Sequence, residues 1–384
     1  MKFEFATATR IVFGAGRLGE TGKLARELGT SALVVTGRDM TRARRLEGLL
    51  NKEGIRCALF PVAGEPDLGT VDRGVAEARR CGCDLVLSLG GGSAIDAGKA
   101  IAAMITNEGV LLDYLEVIGK GKALARVPAP FIAIPTTAGT GSEVTRNAVL
   151  ASPAHRVKVS LRSIMMLPRV ALVDPELAYG LPPAVTASTG LDALTQLIEP
   201  YVCSRPNPIT DAICEDGMRR VSRSLRRAFA DGNDADARED MAVASLFGGI
   251  ALANAGLGAV HGFAGPIGGM FPAPHGAVCA ALLPHVMEMN LRALDLRMPG
   301  SETGRRYREV AQWLTGEPNA TAIDGVEWVG RLVAELRIPQ LKTYGLRNDD
   351  IGALVQKAMD ASSMKANPIA LTEEELAEVL GQAI

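Results

Sequence analysis

Short strand-like segments alternate with helical ones in the first part of the chain, and this alternation constrains the fold more than any other feature. The strand candidates are Ser31–Thr36, Ile55–Val62, Asp84–Leu89 and Phe131–Ile134. The segments with helical periodicity are Leu18–Leu28, Arg42–Lys52, Val71–Arg80 and Ala94–Ile105. Strands that are apolar throughout must be covered on both faces, as they are in a parallel sheet between two layers of helices. The pattern therefore predicts a doubly wound α/β domain.

The pattern changes after Leu181-Pro182-Pro183. From there to Ile384 the periodicity is helical almost throughout, for example over Arg305–Leu314 and Val326–Leu336. A chain of 384 residues is long enough for two domains, and 47% apolar residues can supply a core to each. We therefore expect an α/β domain over residues 1–180 and an all-helical domain over residues 181–384.

Charge is balanced over the whole chain but is absent from one long stretch. The chain has 41 Lys and Arg against 43 Asp and Glu, a net charge of -2, which gives no general attraction to nucleic acid or anionic lipid. Met241–Met287 contains no Asp, Glu, Lys or Arg. Met241–Val260 is long enough for a membrane span, but several glycines interrupt it, so we expect buried helices and no membrane partner.

Two features of the sequence, its N-terminus and its cysteine pattern, indicate the cellular compartment. The N-terminus, Met1-Lys2-Phe3-Glu4-Phe5, lacks the apolar core of a signal peptide. The six cysteines are widely spread and form no C-x-x-C pair, so neither a disulfide framework nor a zinc knuckle is indicated. We expect a cytoplasmic protein with reduced thiols.

Gly14-Ala15-Gly16-Arg17-Leu18-Gly19 fits the G-x-G-x-x-G pattern of dinucleotide-binding proteins. It follows the β-like segment Arg10–Phe13, and Asp39 lies 20 residues after Gly19, where the ribose-binding acid of such proteins stands. The motif is short, and glycine is common in this chain. A tight turn before a helix explains it equally well.

The loop at residues 90–93 is a stronger candidate for phosphate binding. Three consecutive glycines, Gly90 to Gly92, follow an apolar strand directly and precede a helix. A backbone without side chains at a helix N-terminus leaves amide groups free to hold a pyrophosphate. Ser93 and Asp96 also have the S-x-x-D spacing of a capping box, but capping alone does not require three glycines.

A second loop, Pro135-Thr136-Thr137-Ala138-Gly139-Thr140-Gly141-Ser142-Glu143, also follows a buried strand. It is rich in hydroxyl groups and small residues, and Thr140 and Glu143 have the spacing of another capping box. Two such loops at the carboxyl ends of parallel strands converge on one crevice, where open α/β sheets bind their ligands.

Four residues in the second half of the chain are candidate metal ligands. Asp192 and Gln196 are separated by one helical turn and so project from one helix face. His261 and His275 are half of the four histidines and lie in the charge-free stretch. Each has a simpler explanation, since a lone His is usually a hydrogen-bonded core residue and Asp192 could cap a helix. A cation would offset the cost of burying Asp192, so the spacing leaves a metal site and a purely structural set both open.

Five motifs in order resemble those of the iron-containing (group III) alcohol dehydrogenases. They are GGGSAIDAGK at 90–99, PTTAGTGSEVT at 135–145, LVDPELAYGLPP at 172–183, GLDALTQLIEPYV at 190–202 and HGFAGPIGGMFPAPHG at 261–276. The resemblance implies an N-terminal Rossmann-like parallel-sheet domain and a C-terminal helical domain, with the active-site cleft between them. It also implies that the pyrophosphate is bound by the 90–93 loop and not by Gly14–Gly19.

The resemblance further implies a divalent cation, Fe²⁺ or Zn²⁺, held by one Asp and three His. Asp192, His261 and His275 match three of these positions, whereas the remaining histidine position is Gln196 in this chain. A neutral amide oxygen is a weaker ligand than imidazole, so we expect weaker metal binding. A further histidine common in the family, four residues after the first, is replaced here by Gly265.

The implied chemistry is hydride transfer between nicotinamide and a carbinol carbon, with the cation as the Lewis acid. The residues expected to act on the substrate are Asp96, Lys158 and His261. The residues expected to bind the coenzyme are Gly37, Arg38, Gly91, Gly92, Ser93, Thr136, Thr137, Thr140, Asn147 and Lys158. Many NAD-using relatives place an Asp at the end of the second strand, where this chain has Gly37 beside Arg38, so NADP(H) is favoured over NAD(H).

The sequence therefore predicts a metal-dependent NAD(P)(H) alcohol dehydrogenase or aldehyde reductase acting on a small alcohol or aldehyde, as a homodimer. One alternative is a metal-independent reductase resembling the maleylacetate reductases, in which Gln196 marks the loss of the cation. Another is a nucleotide-binding module without catalysis. A lyase of the dehydroquinate-synthase type would need a more basic pocket than the charge-free stretch supplies. His155 and His285 are expected to be structural.

Overall fold

The computed structural model describes residues 2–38 and 40–384, and within them the chain forms two compact units. One unit comprises Phe5–Thr137 and Gly141–Ala178, and the other consists mainly of Tyr179–Ile384 with the short segment Ala138–Thr140. The first unit is α/β and the second is helical, which confirms the predicted fold class.

The α/β unit is built on a parallel sheet. Its strands are β1 (Arg10–Phe13), β2 (Ser31–Thr36), β3 (Arg56–Pro61), β4 (Leu85–Gly90), β5 (Phe131–Pro135), β6 (Asn147–Ser152), β7 (Val157–Arg162) and β8 (Val170–Val173). Its helices are α1 (Thr21–Arg26), α2 (Met40–Lys52), α3 (Leu68–Arg80), α4 (Gly92–Thr106) and α5 (Leu111–Tyr114). Among the described residues, six strands form one sheet in the order β1-β8-β5-β4-β2-β3, and every pair in it is parallel.

The sheet is covered on both faces, as its apolar strands require. In β2, Leu33 and Val35 pack into one hydrophobic cluster, whereas Ala32 and Val34 pack into another. Successive side chains of a strand point to opposite faces, so these two clusters are the two helix-covered layers. The strand is completely buried along its length.

One pair of strands was not predicted from the sequence. β6 and β7 form an antiparallel hairpin that is separate from the main sheet. The inward residues Ala148 and Leu150 of β6 and Val159 and Leu161 of β7 join the cluster that lies against α4. The alternation of buried and half-buried residues in β6 is the period-2 signal of a strand with one buried face.

The helical unit contains the longer helices. They are α6 (Pro183–Val202), α7 (Pro208–Ala230), α8 (Ala235–Asn254), α9 (Ala259–Met270), α10 (His275–Arg297), α11 (Glu302–Thr315), α12 (Ala322–Glu335), α13 (Ile351–Asp360) and α14 (Glu373–Ala383). Leu191, Leu197, Phe263 and Leu282 are completely or almost completely buried in its core.

The charge-free stretch, Met241–Met287, forms the second half of α8, all of α9 and the first half of α10. Most of its apolar side chains are buried in the core of the helical unit, as expected from the sequence. Taken singly, no helix of the described residues has the length and apolar composition of a membrane span. Helices α8 and α9 have the length and apolar composition of a span only when they are taken together, and the pair is bent by 97°.

Candidate functional site

The predicted nucleotide-binding residues Gly37 and Gly91–Ser93 follow β2 and β4 at the carboxyl edge of the parallel sheet. β2 is flanked by β3 on one side and by β4 on the other, so the chain changes its direction of strand addition between β2 and β4. Gly37 follows β2 directly, and its amide nitrogen is 3.5 Å from a Cβ built on Gly90, the last residue of β4. Ligands of open α/β sheets bind at such a switch point. The structure therefore brings Gly37 and the 90–93 loop together at the predicted place.

The N-terminus of α4 has the free backbone that phosphate binding needs. The helix begins at Gly92, and among the described residues no side chain caps it. The capping box predicted for Ser93 and Asp96 is wrong, because Gly91 is the N-cap residue and Asp96 lies more than one turn inside the helix. The amides of Ala94 and Ile95 donate to the carbonyl of Gly91, whereas those of Gly92 and Ser93 have no acceptor among the described residues.

The loop after β5 packs against this helix start. The amide of Thr136 donates to the carbonyl of Gly90 across 3.0 Å. A Cβ on Gly91 would lie 3.3 Å from Oγ1 of Thr137, so the hydroxyl is close to the backbone of the 90–93 loop. The two glycine-rich loops thus meet within the α/β unit, as predicted.

The second predicted capping box is also wrong. Gly141 has φ +56°, a left-handed conformation that favours glycine, and it precedes a short 3-10 helix over Ser142–Val144. Gly141, and not Thr140, is therefore the N-cap residue, and Glu143 lies within that helix. Thr140 itself belongs with the helical unit, where the adjacent Gly139 leaves room for only a hydrogen beside Thr189 of α6.

The Gly14–Gly19 motif is already occupied by a side chain of the protein. Oδ1 of Asp174 accepts the amide of Gly16 across 3.1 Å, and Oδ2 accepts the amide of Leu18 across 2.9 Å. Asp174 directly follows β8, which pairs with β1. An internal carboxylate thus takes the donors that a phosphate would use. The residue predicted as its partner, Asp39, lies outside the described residues.

Two further predicted residues, Asp96 and Asn147, make polar contacts inside the α/β unit. The carboxylate of Asp96 lies 3.5 Å from Nζ of Lys99 and accepts the amide of Val149 across 3.2 Å. Asn147 uses its carbonyl to accept from the same Nζ across 2.5 Å. These contacts give the buried Lys99 ammonium the partners that a buried charge needs.

Lys158 of β7 is bound by an ion pair. Its Nζ lies 2.6 Å from Oε1 of Glu65, and its side chain is 7% exposed, whereas that of Glu65 is 44% exposed. The assignment of Lys158 and Asp96 to the reaction stays a prediction.

The predicted metal ligands converge within the helical unit. Asp192 comes from α6, His261 from the first turn of α9 and His275 from the first residue of α10. Oδ1 of Asp192 lies 3.5 Å from Nε2 of His261 and 3.8 Å from Nε2 of His275. The sequence separation of these residues is large, so only the packing of three helices brings them together.

Cys279 joins this cluster, which sequence reasoning missed. Its Sγ lies 3.8 Å from Nε2 of His261 and 3.7 Å from Nε2 of His275. One ligand atom from each of Asp192, His261, His275 and Cys279 lies within 4.8 Å of the others. The signal was present in the sequence, since Cys279 follows His275 by one helical turn.

Glu199 is a second residue that sequence reasoning missed. Nδ1 of His261 lies 2.6 Å from Oε2 of Glu199, and Oε1 accepts the amide of Val260 across 2.8 Å. The carboxylate thus satisfies a free amide at the start of α9 and turns Nε2 of His261 towards the cluster. The spacing of two helical turns between Asp192 and Glu199 places them on one face of α6.

Gln196 is buried on α6, one turn after Asp192. Its Oε1 is among the buried oxygens that have no hydrogen-bond partner in the described part of the chain. This side chain packs against α8, where a Cβ on Gly248 would lie 3.1 Å from Cβ and 3.4 Å from Oε1 of Gln196.

Close helix packing holds the site together. A Cβ on Gly276 of α10 would lie 2.5 Å from the carbonyl oxygen of Ser188 and 3.4 Å from Cβ of Asp192. Backbone atoms cannot give way as a flexible side chain can, so only glycine permits this approach of α10 to α6. The approach sets the separation between His275 and Asp192.

The donor set fits a cation. Asp192 is 1% exposed, and its Oδ1 has no hydrogen-bond partner among the described residues. Burial lowers the pKa of His261, but the interactions with Cys279, Glu199 and Asp192 together raise it by more, so the net pKa is well above its usual value. Burial also raises the pKa of Asp192, but the imidazole charges of His275 and His261 hold it below its usual value. A divalent cation would satisfy the buried Oδ1 of Asp192.

The two remaining histidines lie elsewhere. Nδ1 of His155 lies 2.8 Å from Oγ of Ser152, at the turn of the β6–β7 hairpin. His285 lies ten residues after His275 on α10, where burial lowers its pKa.

A parallel sheet with an uncapped, glycine-rich helix start and a buried carboxylate–imidazole cluster define a nucleotide- and metal-dependent oxidoreductase. Comparison with known proteins agrees with this class. Residues 8–175 match the family model for iron-containing alcohol dehydrogenase, and residues 186–384 match the C-terminal model of the Fe-containing alcohol dehydrogenase family. The chain belongs to this family and is an oxidoreductase that uses NAD(H) or a related nucleotide with a divalent metal.

Similar proteins cover almost the whole chain. Alcohol dehydrogenase 4 of Schizosaccharomyces pombe is 36% identical over 379 residues, which are 97% of this chain and 87% of the relative. The crystal structure of a 1,3-propanediol oxidoreductase has a TM-score of 0.92 and 35% identity, with 100% of both chains covered. A sulfoacetaldehyde reductase from Bifidobacterium kashiwanohense, solved with NAD⁺, has a TM-score of 0.87 and 29% identity, with 100% of this chain and 99% of that chain covered.

Proposed function

We propose that this alcohol dehydrogenase interconverts small primary alcohols and aldehydes, with a divalent cation held by Asp192, His261 and His275. The observation that supports the ligand set is the unpartnered Oδ1 of Asp192, buried 3.5 and 3.8 Å from the two Nε2 atoms. A buried carboxylate oxygen without a donor costs free energy unless a cation or a hydrogen bond satisfies it. The names of the relatives, an alcohol dehydrogenase and a propanediol oxidoreductase, support small alcohols as the substrate class.

The cation would act as a Lewis acid that polarises the oxygen of the substrate. The side chains of this chain prepare the place for it. Asp192 supplies negative charge, and Glu199 fixes the ring of His261 so that Nε2 faces the cluster. Asp192, His261 and Cys279 are buried, which strengthens the charge interactions among them, whereas the side chain of His275 is 35% exposed.

The nucleotide is proposed to lie over the carboxyl ends of β2, β4 and β5. The free amides of Gly92 and Ser93 would hold the pyrophosphate, and the hydroxyl groups of Thr136 and Thr137 line the neighbouring loop. Gly91, Thr140 and Asn147 complete the proposed coenzyme set.

We propose a preference for NADP(H) over NAD(H). Within the described residues, nothing lies within 4 Å of a Cβ built on Gly37, and the neighbouring Arg38 is exposed. An arginine next to a glycine at the end of the second strand accommodates a 2′-phosphate.

Asp96 and Lys158 are proposed to face the substrate and the coenzyme. Both are engaged within the α/β unit, Asp96 with Lys99 and Lys158 with Glu65. In either role the side chain would therefore contact the bound ligand while it also keeps its ion pair.

We also propose a cytoplasmic homodimer. All six cysteines, each within the described residues, are free thiols, as is usual in a reducing compartment. Light scattering on the purified enzyme tests the dimer, and a mass of one chain would contradict it.

The decisive experiment combines metal analysis with turnover. The enzyme is purified without added metal, its metal content is measured, and NADPH oxidation is followed over a panel of short aldehydes before and after chelation. We expect chelation to abolish turnover and Zn²⁺ or Fe²⁺ to restore it. Full activity after exhaustive chelation would instead favour the metal-independent reductase that Gln196 suggests. Nicotinamide binding without turnover would favour a module without catalysis.

A further inference from the structure

Cys279 has the position of a ligand rather than of a core cysteine. It is completely buried on α10, one turn after His275, and its Sγ faces two imidazole nitrogens at 3.7 and 3.8 Å. Cys214, by comparison, is equally buried on α7 but belongs to no such cluster of the described residues. The contrast separates Cys279 from cysteines that only fill space.

The distances match those between the ligands of one small cation. Tetrahedral Zn²⁺ with bonds of about 2.0–2.3 Å to oxygen, nitrogen and sulfur keeps its ligand atoms roughly 3.3–3.8 Å apart. Asp192 Oδ1 and Cys279 Sγ are each between 3.5 and 3.8 Å from both imidazole Nε2 atoms. Four of the six ligand–ligand distances therefore already have the values that a bound cation imposes.

The second, independent observation is the unpartnered carboxylate. Oδ1 of Asp192, on a residue that is 1% exposed, has no hydrogen-bond donor in the described part of the chain although it faces this cluster. It points to an absent positive partner located between the four donors. A thiol alone offers Asp192 only a weak hydrogen bond.

Gln196 is the competing candidate for the fourth donor. Its amide oxygen is neutral, and the side chain packs against α8 at Gly248. A thiolate carries a full charge and is a far better ligand than an amide for Zn²⁺. The chain thus lacks a histidine at residue 196 and has a sulfur donor at residue 279.

We propose that Cys279 binds the cation as a thiolate and completes a set of one carboxylate, two imidazoles and one sulfur, which makes Zn²⁺ the preferred metal. This inference depends on the metal site proposed above. On binding, the sulfur–metal bond forms and the thiol proton is released to water. Because zinc sites sometimes expand to five ligands, a substrate oxygen would bind as the fifth.

Cobalt substitution tests the proposal directly. Metal-free enzyme is titrated with Co²⁺, and the sulfur-to-cobalt charge-transfer absorption in the near ultraviolet is recorded, since only a thiolate ligand produces it. We expect the band in the wild-type enzyme at one Co²⁺ per chain. Cys279→Ser and Cys279→Ala should lose the band and bind Co²⁺ and Zn²⁺ at least tenfold more weakly.

Matched variants separate ligation from packing. Cys214→Ala removes an equally buried thiol and should keep the band, and Gln196→Ala should also keep it. Circular dichroism shows whether each variant is folded, and Cys279→Ser keeps the size of the side chain. A band that survives in folded Cys279→Ser, or that is lost in Gln196→Ala, would overturn the proposal.

The cobalt titration distinguishes a failure of thiolate ligation by Cys279 from a failure of the metal-dependent function. Stoichiometric Co²⁺ binding to the wild-type enzyme without a charge-transfer band would overturn thiolate ligation and leave the metal-dependent function intact. An enzyme that binds neither Co²⁺ nor Zn²⁺ would overturn both.

Discussion

Nδ1 of His261 and Oε2 of Glu199 are 2.6 Å apart and buried in the helical unit. The carboxylate of Glu199 engages Nδ1, so Nε2 is the ring atom of His261 that faces Asp192 and Cys279. The same carboxylate accepts the amide of Val260 at the start of α9. One side chain therefore determines both where α9 begins and which nitrogen His261 offers to a cation.

Replacing Glu199 by Gln should weaken metal binding by roughly 10- to 100-fold, because the carboxylate no longer fixes and polarises His261. Competition with a chromophoric chelator measures the affinity for Zn²⁺. Glu335→Gln, at an exposed ion pair with Arg226, is the matched control and should leave the affinity unchanged. Equal affinities for the wild type and Glu199→Gln would show that this hydrogen bond does not tune the site.

Gly276→Ala should destabilise the helical unit by about 1–3 kcal/mol, because the new methyl group would collide with the carbonyl oxygen of Ser188. Moving α10 away to relieve the collision would also separate His275 from Asp192 and weaken metal retention. Gly330→Ala in α12 is the control, since no described atom lies within 4 Å of its Cβ and alanine favours helices. Urea unfolding of both variants gives the comparison, and equal midpoints would contradict it.

Glu143 should make stability depend on pH. Its burial raises its pKa from 4.5 to about 7. Between these values the unfolded chain has lost a proton that the folded chain retains, so stability falls as pH rises through this range and is constant above it. Glu143→Gln lacks this titrating group. The free energy of unfolding of the variant, relative to that of the wild type, should therefore rise by up to ~3 kcal/mol from pH 5 to pH 8. Urea unfolding measures the free energy of unfolding of both proteins at the two pH values. The same difference between the proteins at pH 5 and at pH 8 would rule this out.

Gly37→Asp should shift coenzyme preference towards NAD(H). A carboxylate at the end of β2 would repel a 2′-phosphate and could accept from the ribose hydroxyls. We expect the ratio of kcat/KM for NADPH to that for NADH to fall at least roughly tenfold. Gly48→Asp adds the same charge on the exposed side of α2 and should leave the ratio unchanged. An unchanged ratio in Gly37→Asp would remove the argument for NADP(H).

The continuous apolar strands were predictable because burial on both faces leaves no other interpretation. β2 has the predicted bounds, Ser31–Thr36, to the residue. The hairpin of β6 and β7 was missed because its strands are half-buried and lie outside the main sheet. Helix starts were less certain, since the three glycines let α4 begin at Gly92, two residues before the start that a Ser93 cap would give.

The ligand cluster was only partly predictable. Asp192, His261 and His275 stand out because charged residues are rare around them and histidine is rare in the chain. Cys279 does not stand out until α10 is known to begin at His275, because only then do the two residues share a helix face. Glu199 is one of many glutamates, and its role depends on how α9 packs against α6, which no local pattern specifies.

Asp174 gives the Gly14–Gly19 turn a meaning that the motif alone does not carry. β1 is an edge strand, three strands away from β4, and an edge strand is easily lost or paired with another chain. By binding the amides of Gly16 and Leu18, the residue that follows β8 fastens the end of β1 to its neighbour. The Gly14–Gly19 turn thus stabilises the edge of the sheet, and its amides are hydrogen-bonded to Asp174 instead of to a nucleotide.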